Sequence, residues 1–340
     1  MTTTRRWYFN RKPSRDLEAD TLQLREDRLP EPQQGEVLLR SIYLSMDATN
    51  RLWLGDWDLY MDPIREGEPM KGFTLAEVMV SRHPGFPKGS LVAGLLPWSE
   101  FAISDGSGLS IVPRIPGLKL ADAFGVLAIA GPTALVGLME IGRPKAGDTV
   151  VVTAAAGAVG MLVGQIARIH GCRTIGIAGG AEKCGWLTSE FGYDHAIDYK
   201  RENVVERLRQ LAPQGVDVHF ENVGGEMLDA GLTVMKDFGS VVICGLISTY
   251  NSNAGDRIPG PYMFRNLIMR RLRVQGFVIL DYAERYPEYQ QQLAQWMLEG
   301  RLNFRLDVTQ GIDTALDALK MLYTGANKGK VLVQIGADPS

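Results

Sequence analysis

The chain has 340 residues, of which 45% are hydrophobic and 22% charged; this is enough for about two domains and for a core that needs neither disulfides nor metal. Its 36 basic and 39 acidic side chains leave a net charge of −3, which excludes a general nucleic-acid binder and a protein held to anionic membranes by a basic patch. The three cysteines, at 172, 184 and 244, are too few and too scattered for a disulfide scaffold or a CxxC site, and point to a reducing, cytoplasmic setting.

The polar start, Met1–Arg6, runs into no apolar stretch of leader length, so no secretory signal is expected there. Residues 1–125 read as short strands between Pro/Gly turns: 36–44, 75–80, 90–93 and 99–103, a mostly β, barrel-like unit. The longest apolar run, 124–138, is broken by Gly131 and Pro132 and reads as too short and interrupted to span a bilayer. From 126 to 302 strands and helices alternate. Strands are expected at 149–153, 173–178, 196–198, 216–220 and 240–244, and helices at 159–170, 184–191 and 202–211, with Gly171 and Gly192 as helix stops. This alternation predicts an α/β fold with a parallel, doubly wound Rossmann sheet. The tail 303–340, ending in a strand at 330–335, is too small to fold alone and is expected to complete the first unit.

The glycine content, 38 residues, exceeds the usual ~7% without a collagen period, and its informative members lie at strand ends. Thr149–Thr153 leads into Ala154-Ala-Ala-Gly157-Ala-Val-Gly160 and then a helix. Such a turn aims backbone N–H groups at a pyrophosphate. Gly157 permits close approach and Gly160 permits the helix to pack on the strand, although Ala155 replaces the first glycine of GxGxxG. The second strand ends Ile177-Ala-Gly-Gly-Ala181 without the carboxylate that an NAD site places there. Lys183 and Tyr199 instead offer a cation and a hydroxyl to a 2′-phosphate, so the cofactor reads as NADP(H). Glu182 is the counter-signal.

The ordered set Leu44-Ser-Met-Asp-Ala-Thr-Asn-Arg51, Ala154–Gly160, Glu221-Asn-Val-Gly-Gly225, Cys244-Gly-Leu-Ile-Ser-Thr-Tyr-Asn251, Arg273-Val-Gln-Gly-Phe277 and Gly325-Ala-Asn-Lys-Gly-Lys330 resembles the zinc-independent medium-chain dehydrogenases/reductases, in particular the prostaglandin reductase and curcumin reductase group of double-bond reductases. The resemblance implies a Rossmann domain (126–302) within a GroES-like catalytic domain (1–125 and 303–340), a cleft between them, and a homodimer. It also implies cofactor contacts. Gly157, Ala158, Val159 and Gly160 would hold the pyrophosphate, and Lys183 and Tyr199 the 2′-phosphate. Asn222, Cys244, Gly245, Leu246, Ile247, Ser248 and Tyr250 would line the cofactor together with Phe277, Val278 and Ile279. Asn327 would lie near the nicotinamide, and Thr133 would face the cofactor. Asn222 and Asn327 also fit as turn residues, and Cys244 as a small buried residue.

Zinc members of the superfamily need Cys and His ligands from the first domain. Residues 1–125 hold no cysteine and one histidine, His83, in a Pro/Gly turn, so no metal site is expected. Without a metal, the substrate must be electrophilic through its own conjugation, which points to a small-molecule α,β-unsaturated ketone or aldehyde reduced at the β-carbon. A hydrogen-bond donor would stabilise the oxyanion. Relatives carry tyrosines where this chain has Thr49 and Met269, so the donor reading moves to Tyr60, with Tyr262 second and solvent as a further proton source. Tyr60 fits equally as a packing residue beside Trp53 and Trp57. Arg51 fits a cofactor-positioning role or an ion pair, and Trp53, Trp57 and Trp98 fit the cleft or the core. A quinone oxidoreductase and an NADPH-binding module with little turnover are the alternatives.

Overall fold

The structure, a computed structural model, describes residues 1–253 and 255–339. The central unit is built on six parallel strands lying in the order His195–Asp198, Arg173–Ala178, Thr149–Val152, Val216–Glu221, Met235–Ile243 and Arg273–Gly276. By position in the chain this is 3-2-1-4-5-6, so the order reverses between Thr149–Val152 and Val216–Glu221, and the crevice for a ligand opens at their carboxyl ends. All four residues of Thr149–Val152 are buried, as expected for a strand covered by helices on both faces. The helix Gly160–Ile169 buries Leu162, Val163 and Ile166 completely. It stops at Gly171, whose φ of +77° suits a residue without a Cβ.

The flanking unit is mostly β. Val37–Ser45 pairs antiparallel with Lys71–Ser81, which continues to Leu91–Pro97 and Ser110–Ile111. Its other edge takes Phe101–Ser104 and, from the tail, Lys330–Gln334, with Leu332 opposite Ser45. Leu306–Gln310 and Lys330–Gln334 run parallel, joined through the helix Ala315–Thr324.

Three elements differ from the sequence reading. The hairpin Thr2–Phe9/Leu22–Leu29 carries charged residues at most of its outward positions, which hid its alternation. The fifth strand of the central sheet starts at Met235, five residues before its apolar part. Its first half is bulged against Val216–Val218, exposes Asp237 and Phe238, and has Phe238 at φ +64° beneath the Arg271 guanidinium. The apolar run is interrupted two residues before Gly131 rather than at Gly131 and Pro132, between the helices Leu120–Leu127 and Ala130–Leu135. A helical stretch of 23 residues, Leu120–Gly142, is long and apolar enough to cross a membrane, yet 83% of its most apolar window lies buried inside the protein. The bend falls at Ile129 (φ −129°), and Pro132 enters the first turn of the next helical segment, Ala130–Leu135, where a missing N–H costs no helical bond.

Candidate functional site

The loop after the first central strand is a tight turn. Ala154 takes φ +48°, the Gly157 N–H donates to the Ala154 carbonyl at 2.9 Å, and the Ala155 N–H donates to Ile177 at 3.0 Å. The left-handed residue is therefore Ala154, a backbone strain that surrounding bonds must hold. The N–H groups of Ala158, Val159 and Gly160 donate to nothing among the described residues, and they stand at the positive end of the helix Gly160–Ile169. A Cβ on Gly160 would sit 2.7 Å from the Ala155 Cα and closer still to the Ala154 carbonyl oxygen. The glycine thus sets how near the helix comes to the turn.

Across the reversal point, Asn222 clasps this loop. Its Nδ2 donates to the Thr153 carbonyl at 2.7 Å, and its backbone N–H donates to Thr153 Oγ1 at 2.8 Å. Beneath it lies a pair that sequence reading missed. Glu221, fully buried, accepts from Thr153 Oγ1 at 2.8 Å, from the Val223 N–H, from the Gly224 N–H at 2.9 Å, and from His219 Nε2 at 2.6 Å. Burial opposes ionisation of Glu221, but the His219 hydrogen bond and charge and the two N–H donors hold its carboxyl below the usual range. A histidine and a glutamate two apart in the apolar strand Val216–Glu221 share a face, and that spacing was the available signal.

At the end of the second strand, Lys183, Tyr199 and Lys200 gather over the Gly179-Gly180 turn. A Cβ on Gly179 would lie 2.9 Å from the Tyr199 hydroxyl and 3.0 Å from Lys200 Cε. Burial and the Lys200 ammonium both lower the Lys183 pKa. Asp198 holds the turn by accepting the Gly180 N–H at 2.8 Å. Glu182 pairs with Lys328 at 3.5 Å.

The loop after the fifth strand closes the crevice. Cys244 and Gly245 donate their N–H groups to Glu221, Ser248 Oγ donates to the Val223 carbonyl at 2.6 Å, and the Tyr250 hydroxyl accepts the Leu246 N–H at 3.1 Å. Burial pushes the Cys244 thiol up to about 12, with Glu221 adding to it, so it is no thiolate at neutral pH. Phe277, Val278 and Ile279, all half-buried, follow the edge strand. Thr133 Oγ1 is turned into its own helix, donating to Ile129 at 2.7 Å. Asn327, buried, donates to the Gly329 carbonyl at 2.9 Å within its turn.

The β unit faces this loop through residues 49–60. The Tyr60 hydroxyl, on a half-exposed side chain, meets Thr49 Oγ1 at 2.8 Å and accepts from Trp53 Nε1 at 3.4 Å. Trp57 Nε1 reaches the Ser252 carbonyl of the central unit at 3.3 Å. Trp53 and Trp98 are core residues, Trp98 fully so against Gly72. Tyr262 stands exposed beside the helix Gly225–Val234, and Met269 is exposed. Arg51 makes no ion pair among the described residues. It is fully buried and donates to the Arg15 carbonyl at 2.9 Å, and burial lowers its pKa. A surface groove of about 400 Å³, lined by Arg209, Lys236, Asp237 and Arg270, opens at the amino ends of the central strands.

Comparison with known proteins matches residues 5–112 to the N-terminal domain of oxidoreductases and 158–298 to the zinc-binding dehydrogenase family. The NADPH-dependent curcumin reductase of Escherichia coli is 37% identical over 98% of this chain and 97% of its own length. The chain belongs to the zinc-independent double-bond reductases of the medium-chain dehydrogenase/reductase superfamily. Rat prostaglandin reductase 1 is 38% identical to this reductase over 92% of the chain and 93% of its own length. The crystal structure of CurA from Vibrio vulnificus with NADPH superposes on it with a TM-score of 0.91 at 38% identity, covering 98% of this chain and 100% of that one. Among the described residues of the reductase, no three His, Cys, Asp or Glu side chains group as a metal site. His83 accepts the Gly85 N–H in its turn and packs on Phe86.

Proposed function

We propose that this NADP-dependent oxidoreductase reduces the carbon–carbon double bond of α,β-unsaturated ketones or aldehydes. The observation that carries the reading is the Tyr60 hydroxyl, held by Thr49 and Trp53 on the lip that meets the loop after the fifth strand. The N–H groups at 158–160, which donate to nothing among the described residues, the close approach of helix to turn that Gly160 allows, and the Lys183–Tyr199 pair fit a phosphorylated dinucleotide. Ala158, Val159 and Gly160 would hold its pyrophosphate, Asn222 and the Cys244–Tyr250 loop its nicotinamide half, and Lys183 and Tyr199 its 2′-phosphate. When bound, NADPH supplies a hydride for the substrate's β-carbon. Tyr60 donates a hydrogen bond to the carbonyl oxygen, where negative charge develops, while Trp53 Nε1 feeds the phenol oxygen from behind. Proton delivery to the α-carbon falls to the phenol or to solvent.

The test is NADPH oxidation with enones, alkenals and quinones, with the products identified. A saturated carbonyl is expected, and Tyr60→Phe should lower kcat on enones by about 10- to 100-fold while NADPH affinity stays unchanged. A quinol as the sole product would move the assignment to quinone reduction, and an undiminished Tyr60→Phe rate would remove Tyr60 from catalysis.

The same proposal divides the chain into a catalytic domain (1–125 and 303–340) and a dinucleotide domain (126–302), in a cytoplasmic homodimer. Support for the dimer is the edge strand Arg273–Gly276, which has a neighbour on one side only and is flanked by exposed Phe264, Ile268, Met269 and Val274. Such an edge is a template for a second copy. Sedimentation should find a dimer, and Val274→Arg combined with Phe264→Asp should give a monomer. A monomeric wild-type protein at micromolar concentration would rule the dimer out.

A further inference from the structure

Lys183 belongs to two places at once. It lies in the helix Ala181–Ser189 of the central sheet's outer layer, yet its Nζ donates to the Gly325 carbonyl at 2.8 Å. Gly325 is the left-handed residue (φ +68°) that ends the helix Ala315–Thr324 of the other unit, and the next N–H, of Ala326, bonds back to Met321 at 3.1 Å. The ammonium thus caps a ten-residue helix at its negative end. No carboxylate within ion-pair distance of Lys183 competes for it among the described residues, since Glu182 pairs with Lys328. Facing it, Lys200 and the Tyr199 hydroxyl make no side-chain hydrogen bond among the described residues, and both fold over Gly179.

Two ammonium groups and a hydroxyl converge on one turn; among the described residues their one side-chain hydrogen bond runs from Lys183 to a peptide carbonyl, and the nearby Asp198 carboxylate is engaged by backbone N–H groups, an arrangement suited to a dianion. We infer that the 2′-phosphate of the cofactor draws Lys183 away from Gly325, uncapping the helix Ala315–Thr324, and that Lys200 is a second cation for that phosphate and so a specificity-determining residue. The inference rests on the NADPH reading above. A phosphate oxygen carries a full charge where the carbonyl carries a partial one, so the lysine exchanges toward the phosphate. The affected helix leads into the turn that holds Asn327 and then into Lys330, whose buried Nζ reaches Asp47 at 2.6 Å and the Met46 carbonyl at 2.8 Å. Cofactor phosphate and the segment leading to Tyr60 are thereby joined through two lysines. An NADH-type dinucleotide, lacking the phosphate, would leave the cap in place.

The probes are adenosine 2′,5′-bisphosphate and AMP, which differ by the 2′-phosphate alone, with binding read by calorimetry and the helix end by amide hydrogen exchange on the intact protein. The bisphosphate should bind more tightly than AMP and should speed exchange at the amides of Ala326 and neighbouring residues of the helix end, while saturating AMP should not. Lys183→Met should show the fast exchange without any ligand and no further response. Lys200→Met should weaken the bisphosphate about 10-fold, leave AMP unchanged, and keep the exchange response at saturation. If the bisphosphate binds preferentially but the helix-end amides do not respond, the exchange of Lys183 is wrong while the phosphate site stands. If the bisphosphate binds no better than AMP, the phosphate site itself is wrong. An unchanged bisphosphate affinity in Lys200→Met removes Lys200 from recognition.

Discussion

Gly160→Ala should lose about 100-fold or more in NADPH affinity and lower stability by about 1–3 kcal/mol. The added methyl group would meet backbone on two sides, the Ala154 carbonyl and the Ala155 Cα, and neither can rotate away as a side chain would. Relief requires the helix Gly160–Ile169 to back off from the turn, which carries the free N–H groups of Ala158, Val159 and Gly160 with it. Relieving contacts this short takes roughly half an ångström or more, which loosens the packing of the helix and misaims several donors at once. The contrast is Gly157→Ala, where the nearest atom would be 3.1 Å away and a smaller loss is expected. Fluorescence titration with NADPH and denaturant unfolding measure the two effects. Equal losses at 157 and 160 would show that close approach is not what Gly160 provides.

Removing Glu221 should be as damaging, by a different route. In Glu221→Leu, Thr153 Oγ1, the Val223 and Gly224 N–H groups and His219 Nε2 all lose their acceptor at a site without solvent. Breaking a buried pair from one side costs about 3–5 kcal/mol, and here the loop bearing Asn222 and the start of the helix Gly225–Val234 depend on the same carboxylate. Unfolding free energy and NADPH affinity should therefore fall together. The pH dependence has a definite sign. Because the folded carboxyl is held below its ordinary value, its contribution is complete above the unfolded pKa of about 4.3 and is lost as pH falls through the lower, folded value. Wild-type stability should therefore drop steeply in acid, and Glu221→Leu should flatten that part of the curve. An unchanged acid limb in the variant would mean that other carboxylates control it.

Both residues were unequally visible in the sequence. Gly160 stands out because a strand, a small-residue turn and an amphipathic helix frame it, and those patterns are local. Lys183 and Tyr199 were legible for the same reason, being counted from strand ends. Glu221 was read only as a motif member, since its partners Thr153 and His219 come together through sheet register. Thr49 was read as the loss of a tyrosine, whereas in space it holds the Tyr60 hydroxyl. The amphipathic hairpin Thr2–Phe9/Leu22–Leu29 and the polar first half of the strand Met235–Ile243, with Lys236 and Asp237, escaped because hydrophobic periodicity marks buried faces, and these segments show little of one.

The pairing of Leu332 with Ser45 also bears on how the protein is made. A ribosome emits Val37–Ser45 long before Lys330–Gln334, and at 5–20 residues per second the gap lasts roughly 15–60 s. Throughout that interval the nascent chain shows an open strand edge at Tyr43–Ser45, while the central sheet, contiguous from Thr149 to Gly276, has every strand it needs. Translation therefore orders the assembly, with the nucleotide fold maturing first and the lobe that bears Tyr60 closing only when the last strand arrives.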